Sequence, residues 1–342
     1  MKISVLIPHY KTPKITAYSI SKFLEHKGRH ELDIIVIDNN SSDGTIDCVK
    51  PFLKEGVRII NYPKHKLQSH GIAQDYALEN GVVETDYFIT AETDSFPTSD
   101  QYLDEIEKLI NEGYDMGGTV MQLSGGQYLH GCGSFYSKKM WQEAYEYCNQ
   151  IPYTYFPNMW NKEGFDGHTM IHHKVLLKVL TNPQDYFDLA EGYKGLSVTQ
   201  MLGKADHYSS VVSPFHNGMG MLQESVKTYG RRCLQSEMPN ILLNGNAKII
   251  YRVGYEPSQW IFYWALAMDK KVAVIPFTTK WMPNRVNQQQ EYTKTIHGFC
   301  HLWSGSAHVD MKGTQLNDVY EFKHNLINEL YESMPQQFKI NQ

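Results

Sequence analysis

Apolar strand-like runs alternate with helical ones through the first 120 residues, and this alternation restricts the chain to a narrow class of folds. "KISVLIP" (2–8) reads as a strand covered on both faces. "KITAYSISKFLEHK" (14–27) follows, with Ile15, Tyr18, Ile20, Phe23 and Leu24 at helical spacing. "LDIIVID" (32–38) is a second strand, and "NNSSDGT" a turn whose Ser42 or Asp43 can cap a helix starting near Thr45. "VRIINY" (57–62) is a third strand, "SHGIAQDYALENG" (69–81) a helix closed by Gly81, and "DYFITA" (86–91) a fourth strand. "SDQYLDEIEKLINEG" (99–113) is an amphipathic helix capped by Ser99 and closed by Gly113. Strands separated by helices need right-handed crossovers, so the pattern predicts an α/β fold: a Rossmann-like, mostly parallel sheet flanked by helices. Ligands of such sheets bind at the carboxyl ends of the strands. Pro8, Asp38 and the pair Glu92 and Asp94 all fall at those ends.

Beyond residue 120 the periodicity weakens. "QYLHGCGSFYSKKMW" (127–141) reads as a strand entering a helix, with Gly131 and Gly133 allowing close backbone approach. Helices are expected at 168–180, 221–234 and 258–271, strands at 247–253 and 272–279, and a closing amphipathic helix at 316–334. "SEMPN" suggests a boundary near 236. The expected organisation is a domain over 1–236, in two halves that meet near 122, followed by a mainly helical carboxy-terminal extension over 237–342.

In "YFITAETDSFPT" (87–98) an apolar strand ends on two carboxylates one residue apart. Such a pair is self-repulsive unless a cation, a proton or a basic partner lies between the acids, although a solvated turn can also carry it. Composition removes some partners. A net charge of −5 with no basic stripe argues against a nucleic-acid binder. Five widely spaced cysteines, none in a C-x-x-C, build neither a disulfide framework nor a cysteine zinc site, which fits a reducing cytoplasm. The apolar start stops at Pro8, too soon for a signal peptide, and "WIFYWALAM" (260–268) is far short of a span. Cytoplasmic localisation is therefore expected, with no transmembrane segment and room only for peripheral membrane contact.

"ISVLIPHYKTP", "DIIVIDNNSSDGT", "HGIAQDYALENG" and "YFITAETDSFP", in that order and spacing, resemble the family 2 glycosyltransferases, which have the GT-A fold. The resemblance covers about 100 residues, and "HGCGSFYSKK" extends it less specifically. It implies that Pro8 and Tyr10 flank a nucleotide base, that Asp38 accepts from the N–H edge of the base, and that Asn40 lies in the turn beside it. It implies that His70 and Gly71, at a helix start, face the donor or its phosphates. The family's acid-x-acid motif matches Glu92-Thr93-Asp94, with Glu92 standing where Asp is more usual, and Thr93 is carried with it to the donor. The motif implies Mn2+ or Mg2+ beside the donor diphosphate, with Asp94 the safer ligand. Asp75 falls near a position where the family usually has Asn.

The same resemblance calls for a carboxylate base, which takes the acceptor hydroxyl's proton with inversion, and for a late histidine metal ligand. Two pairs are candidates. Asp166 with His216 lies at the more usual distance from Glu92 and Asp94, which favours it slightly. Glu256 with His301 matches an acid-helix-strand-Pro pattern and the "HLWSGS" segment, and makes 140–240 a large insertion. Glu163 and Glu191 are further acids in range. The donor expected by default is a UDP-sugar, and the acceptor a glycan, lipid-linked or protein hydroxyl. A nucleotidyltransferase or dinucleotide oxidoreductase would need a glycine-rich loop where "HYKTPKI" stands. The rival from another class is a catalytically degenerate carbohydrate- or nucleotide-binding protein, which Glu92 and Asp75 would suit.

Overall fold

Strand β1 (Lys2–His9) is buried from Ile3 to His9, as a central strand covered on both faces must be. The computed structural model of the 342-residue chain describes residues 1–41, 43–63, 70–123, 126–150, 261, 265, 270–281, 290–302, 312–313 and 317–340. Around β1 a seven-stranded sheet is built in the order β10-β6-β9-β4-β1-β2-β3. Its members are β2 (Glu31–Asp38), β3 (Arg58–Asn61), β4 (Tyr87–Thr90), β6 (Met116–Gly118), β9 (Ser134–Ser137) and β10 (Val272–Val274). β1 is parallel to β2 and β4, β2 to β3, and β6 to β10, while β9 runs antiparallel between β4 and β6.

Helices cover this sheet. α1 (Pro13–Glu25) starts with Pro at its first turn and buries Ile15, Ile20 and Phe23. α2 (His70–Glu79), α3 (Gln101–Asn111) and α4 (Lys138–Gln150) follow where helical spacing predicts them. Ser99 Oγ accepts from the Gln101 backbone N–H at 3.2 Å, and Gly113 leaves α3 at φ +83°. The segment Thr45–Glu55 is a 3-10 helix with Pro51 inside it, where an α-helical turn would set the proline ring against the carbonyl four residues back. Gly44 precedes it at φ +79°, and Asp43 Oδ1 closes the turn by accepting from Thr45 N and Oγ1 at 3.1 and 2.7 Å.

Where one strand entering a helix is expected over 127–141, two strands precede the helix. β8 (Gly126–Leu129) pairs with β7 (Val120–Leu123) in a hairpin, and β9 begins only after a loop at 130–133. Gly133 makes the break: its φ is +71°, and a Cβ there would meet the Phe299 ring at 2.3 Å. Gly133→Ala is expected to destabilise the fold by about 2–4 kcal/mol, from left-handed strain plus overpacking. A denaturant midpoint unchanged from the parent protein would contradict that tight approach.

The carboxy-terminal residues close the molecule. β5 (Ser95–Pro97) lies at the edge of a four-stranded sheet with β11 (Phe277–Trp281), β12 (Gln290–Thr295) and β13 (Phe299–His301), ordered β11-β12-β13-β5. α5 (Asn317–Glu332) packs on α1, where Lys14 Nζ donates to Asn328 Oδ1 at 2.7 Å. Tyr18 meets Phe96 edge-on at 4.9 Å, and Tyr102 lies 4.6 Å from Phe299, so one apolar core runs through both sheets. Each fully buried aromatic or aliphatic side chain there is worth about 1.5–3 kcal/mol. The boundary expected near 236 and the elements expected at 168–180, 221–234 and 247–253 lie outside the described residues. Within the expected helix 258–271, Ile261 and Ala265 are helical and buried. Among the described residues no helix is long and apolar enough to cross a membrane.

Candidate active site

The chain builds β1, β2 and β3 outward in one direction and then returns to place β4 on the other side of β1. At this switch point neighbouring connections leave in opposite directions and a crevice opens at the carboxyl ends. The β1–β4 ladder stops at Leu6 opposite Thr90, so Pro8 lies beyond it, where its missing N–H costs no hydrogen bond to β4.

Two loops form the β1–β2 side of the crevice. Asp38, at the end of β2, receives the Ser41 backbone N–H at 2.9 Å on Oδ1, and its carbonyl accepts from Tyr62 N at 2.9 Å. Ser41 Oγ in turn accepts from Lys11 N at 3.2 Å, tying the β1 loop to the β2 loop. Lys11 and Asn40 both take left-handed φ, +52° and +66°, an uncommon conformation for residues other than glycine. Tyr10 is half-buried, with the Lys11 ammonium 5.1 Å from its ring centre. His9 beneath them is buried, its ring nitrogens 2.8 Å from Thr16 Oγ1 and 3.1 Å from Thr45 Oγ1. Burial pushes the His9 imidazole down to about 4, against the pull of Asp38. A histidine neutral in the fold binds fewer protons than in the unfolded chain, so its stabilisation is lost as pH falls from about 6.5 toward about 4. His9→Gln is expected to flatten the loss of stability between about pH 7 and about pH 5 by about 2 kcal/mol, measured by urea unfolding. Parallel pH profiles for the two proteins would contradict this.

The acids sit on a tight turn after β4. Ser95 Oγ accepts from Glu92 N at 2.8 Å, and Ser95 N donates to Glu92 O at 3.1 Å. Thr93 is buried, and its hydroxyl accepts from Thr12 Oγ1 at 3.2 Å, which anchors the turn to the start of α1. Across β5 lies β13, with His301 opposite Ser95 and Leu302 N donating to Asp94 O at 2.9 Å. The ladder brings His301 Nε2 to 3.6 Å from both Glu92 Oε2 and Asp94 Oδ1. From the other side, His70 at the start of α2 reaches Glu92 Oε1 at 3.2 Å, with Gly71 buried behind it.

Glu92, Asp94 and His301 thus bring one ligand atom each to within 4.8 Å of one another. Two carboxylate oxygens and an imidazole form a donor set that suits a hard or borderline divalent cation. Burial works against the charge on Glu92, but His70, His301 and His130 outweigh it and hold the carboxyl well below the usual range. Burial likewise opposes the charge on His301, and Asp94 and Glu92 overcome it, so its pKa is raised. His130, stacked on His301 with ring centres 4.9 Å apart, is driven by burial down to about 3.

Asp75 is a structural residue here. Its Oδ1 accepts from the Trp141 indole N–H at 3.1 Å, and both side chains are buried. Asp166, Glu256, His216, Glu163 and Glu191 lie outside the described residues. Two further neighbours of the acids, His130 and Lys323, fall outside the family motifs. His130 has little to mark it beyond its place in "HGCGS". Lys323 had a clear signal, since it stands in the α5 stripe Val319, Lys323, Ile327, Tyr331, where the other three are apolar and buried. Its Nζ donates to Glu291 O at 2.5 Å, and burial pushes its ammonium down to about 8 against Asp94 and Glu291.

Comparisons with known proteins can be set beside this geometry. Solved structures similar to the chain include residues 1–349 of S. aureus TarS in complex with UDP-GlcNAc, at 13% identity and a TM-score of 0.38 over 59% of this chain and 78% of that one. Mannosyltransferase PcManGT from Pyrobaculum calidifontis, in complex with GDP-Man and Mn2+, matches at 12% identity and a TM-score of 0.37 over 78% and 85% of the two chains. Glucosyl-3-phosphoglycerate synthase from Mycobacterium tuberculosis, in complex with Mn2+ and UDP-Glc, matches at 16% identity and a TM-score of 0.30 over 41% and 57%. At these scores nothing about donor, metal or acceptor passes to this chain. No curated protein matches it. The model of the family "Glycosyl transferase family 2" matches residues 4–178, just over half of the 342. That span holds both crevice loops and the acid turn, and it shows that the chain belongs to glycosyl transferase family 2, with the GT-A fold.

Proposed function

We propose that the protein is a cation-dependent glycosyltransferase that moves a sugar from a nucleotide-activated donor, UDP-linked by default, to a hydroxyl of a glycan, lipid-linked or protein acceptor. The observation that carries this reading is the meeting of His301 with Glu92 and Asp94, each carboxylate 3.6 Å from its Nε2, at the mouth of the β1–β4 crevice. A turn that merely faced solvent would have no reason to be met by a buried histidine from another sheet.

In this reading Tyr10 and Pro8 flank the base, and Asp38 accepts from its N–H edge with its carboxylate already fixed by Ser41 N. Asn40 shapes the adjoining turn. His70 and Gly71 put the first amides of α2 on the phosphate side, where a helix start favours anions. Thr93 keeps the acid turn in place through Thr12. Glu92, Asp94 and His301 would hold Mn2+ or Mg2+. When bound, such a cation neutralises the charge that develops on a departing diphosphate. Asp94 and Glu92 raise the His301 pKa against burial, and the imidazole would have to be neutral to hold the cation, so affinity for the cation should rise with pH. Asp166 or Glu256 is the base we propose for inversion, and His216 stays the alternative histidine ligand. We place the catalytic domain in 1–236, with 237–342 as the extension, and the protein in a reducing cytoplasm, where Cys48, Cys132 and Cys300 stay out of disulfides.

A thermal-shift panel tests the reading: UDP, GDP, dTDP and CMP and the UDP-, GDP- and dTDP-sugars, each with Mn2+, Mg2+ or EDTA. Stabilisation by one nucleotide class, abolished by EDTA, is the expected result. No response to any nucleotide with either cation would overturn it.

A further inference from the structure

We propose that His130, Cys132 and His301 form a second metal site, for a thiophilic divalent cation of the zinc class, sharing His301 with the carboxylate pair. The three residues come from two places in the fold, the loop between β8 and β9 and the end of β13. Their ligand atoms lie within 4.8 Å of one another, and the residues are only 6%, 2% and 7% exposed. The loop is held from several sides: His130 N donates to Thr119 O at 2.8 Å, Gly133 N to Thr90 O at 2.8 Å, and Thr90 Oγ1 to Gly131 O. His130 Nδ1 turns its lone pair toward Cys132 N at 3.3 Å, a long bond that a cation can replace. The two imidazoles stack with ring centres 4.9 Å apart at 27°, so both rings must tilt for a nitrogen of each to meet one ion beside Cys132.

Donor chemistry assigns the ion. Two imidazoles and a thiolate match tetrahedral zinc-class coordination with an open fourth position, whereas Mg2+ and Mn2+ favour oxygen. Binding forms a metal–sulfur bond at Cys132 and a metal–nitrogen bond at each imidazole, and releases to solvent the thiol proton and any second proton on His301. Neutral His301 has one lone pair, so the two sites use it in turn, and no oxidant or reductant is needed. The assignment does not rest on the role given above to Glu92 and Asp94.

The test uses the full chain, stripped of metal and kept reduced. Co2+ is titrated into the wild type, Cys132→Ser and Asp94→Asn, and the Zn2+-loaded wild type is examined by X-ray absorption. Expected are a thiolate-to-cobalt charge-transfer band in the wild type, its loss in Cys132→Ser, and its retention in Asp94→Asn. The zinc shell should contain one sulfur at about 2.3 Å. Should Cys132→Ser fail to fold, His130→Gln is used and is expected to weaken Co2+ binding and shift the band. No sulfur in the wild-type zinc shell, or an unchanged band in a folded Cys132→Ser or His130→Gln protein, overturns the proposal. Loss of cation-dependent nucleotide binding in Asp94→Asn with the band intact separates this site from the donor site.

Discussion

Asp94→Asn is expected to abolish cation-dependent nucleotide stabilisation and to lower donor turnover by roughly 10³-fold, about 4 kcal/mol of transition-state stabilisation. The side chain is fully buried at a turn whose backbone is fixed by Leu302 N and by Ser95. Asn keeps the shape and removes the charge, so the fold should survive while the hard anionic ligand is lost. Turnover is read as donor hydrolysis, and folding as the thermal midpoint without nucleotide. A variant that stays folded and turns over normally would remove the metal argument altogether.

His301→Gln is expected to weaken cation binding about 100-fold and to lower turnover similarly, since it removes one donor of three and leaves both carboxylates. His216→Gln should leave cation affinity within about twofold of the parent. The contrast is informative because spacing along the chain slightly favours His216, whereas the β5–β13 ladder puts His301 beside the acids. The reverse result, His216 mattering and His301 not, would return the metal site to the residues between 150 and 260.

What the sequence made legible was local. A continuous apolar run, helical spacing and a Pro or Asp at a strand end are encoded within a few residues, and β1 to β4 and α1 to α3 follow them. The crevice was legible for the same reason, because parallel strands put their carboxyl ends on one edge. The approach of His301 to the acids left no local trace, since its partner Ser95 is about 200 residues away and long-range strand pairing is not periodic. The loop at 130–133 depends on Phe299 filling the space over Gly133, another distant contact. Thr45–Glu55 is wound as a 3-10 helix around Pro51, a local signal within the segment itself. Lys323 was equally visible: a lysine in an apolar stripe is either misplaced or buried with a partner, and here it is bonded to Glu291 O.

The role proposed for Glu92, Asp94 and His301 is to hold one divalent cation against the donor diphosphate. Its most direct test is the number of Mn2+ ions bound per chain, read from the loss of the free-ion paramagnetic resonance signal, with and without the nucleoside diphosphate that gives the largest thermal shift. The account predicts one ion per wild-type chain, bound more tightly with nucleotide present and not bound by Asp94→Asn. Equal Mn2+ binding by wild type and Asp94→Asn, or binding indifferent to nucleotide, would contradict it.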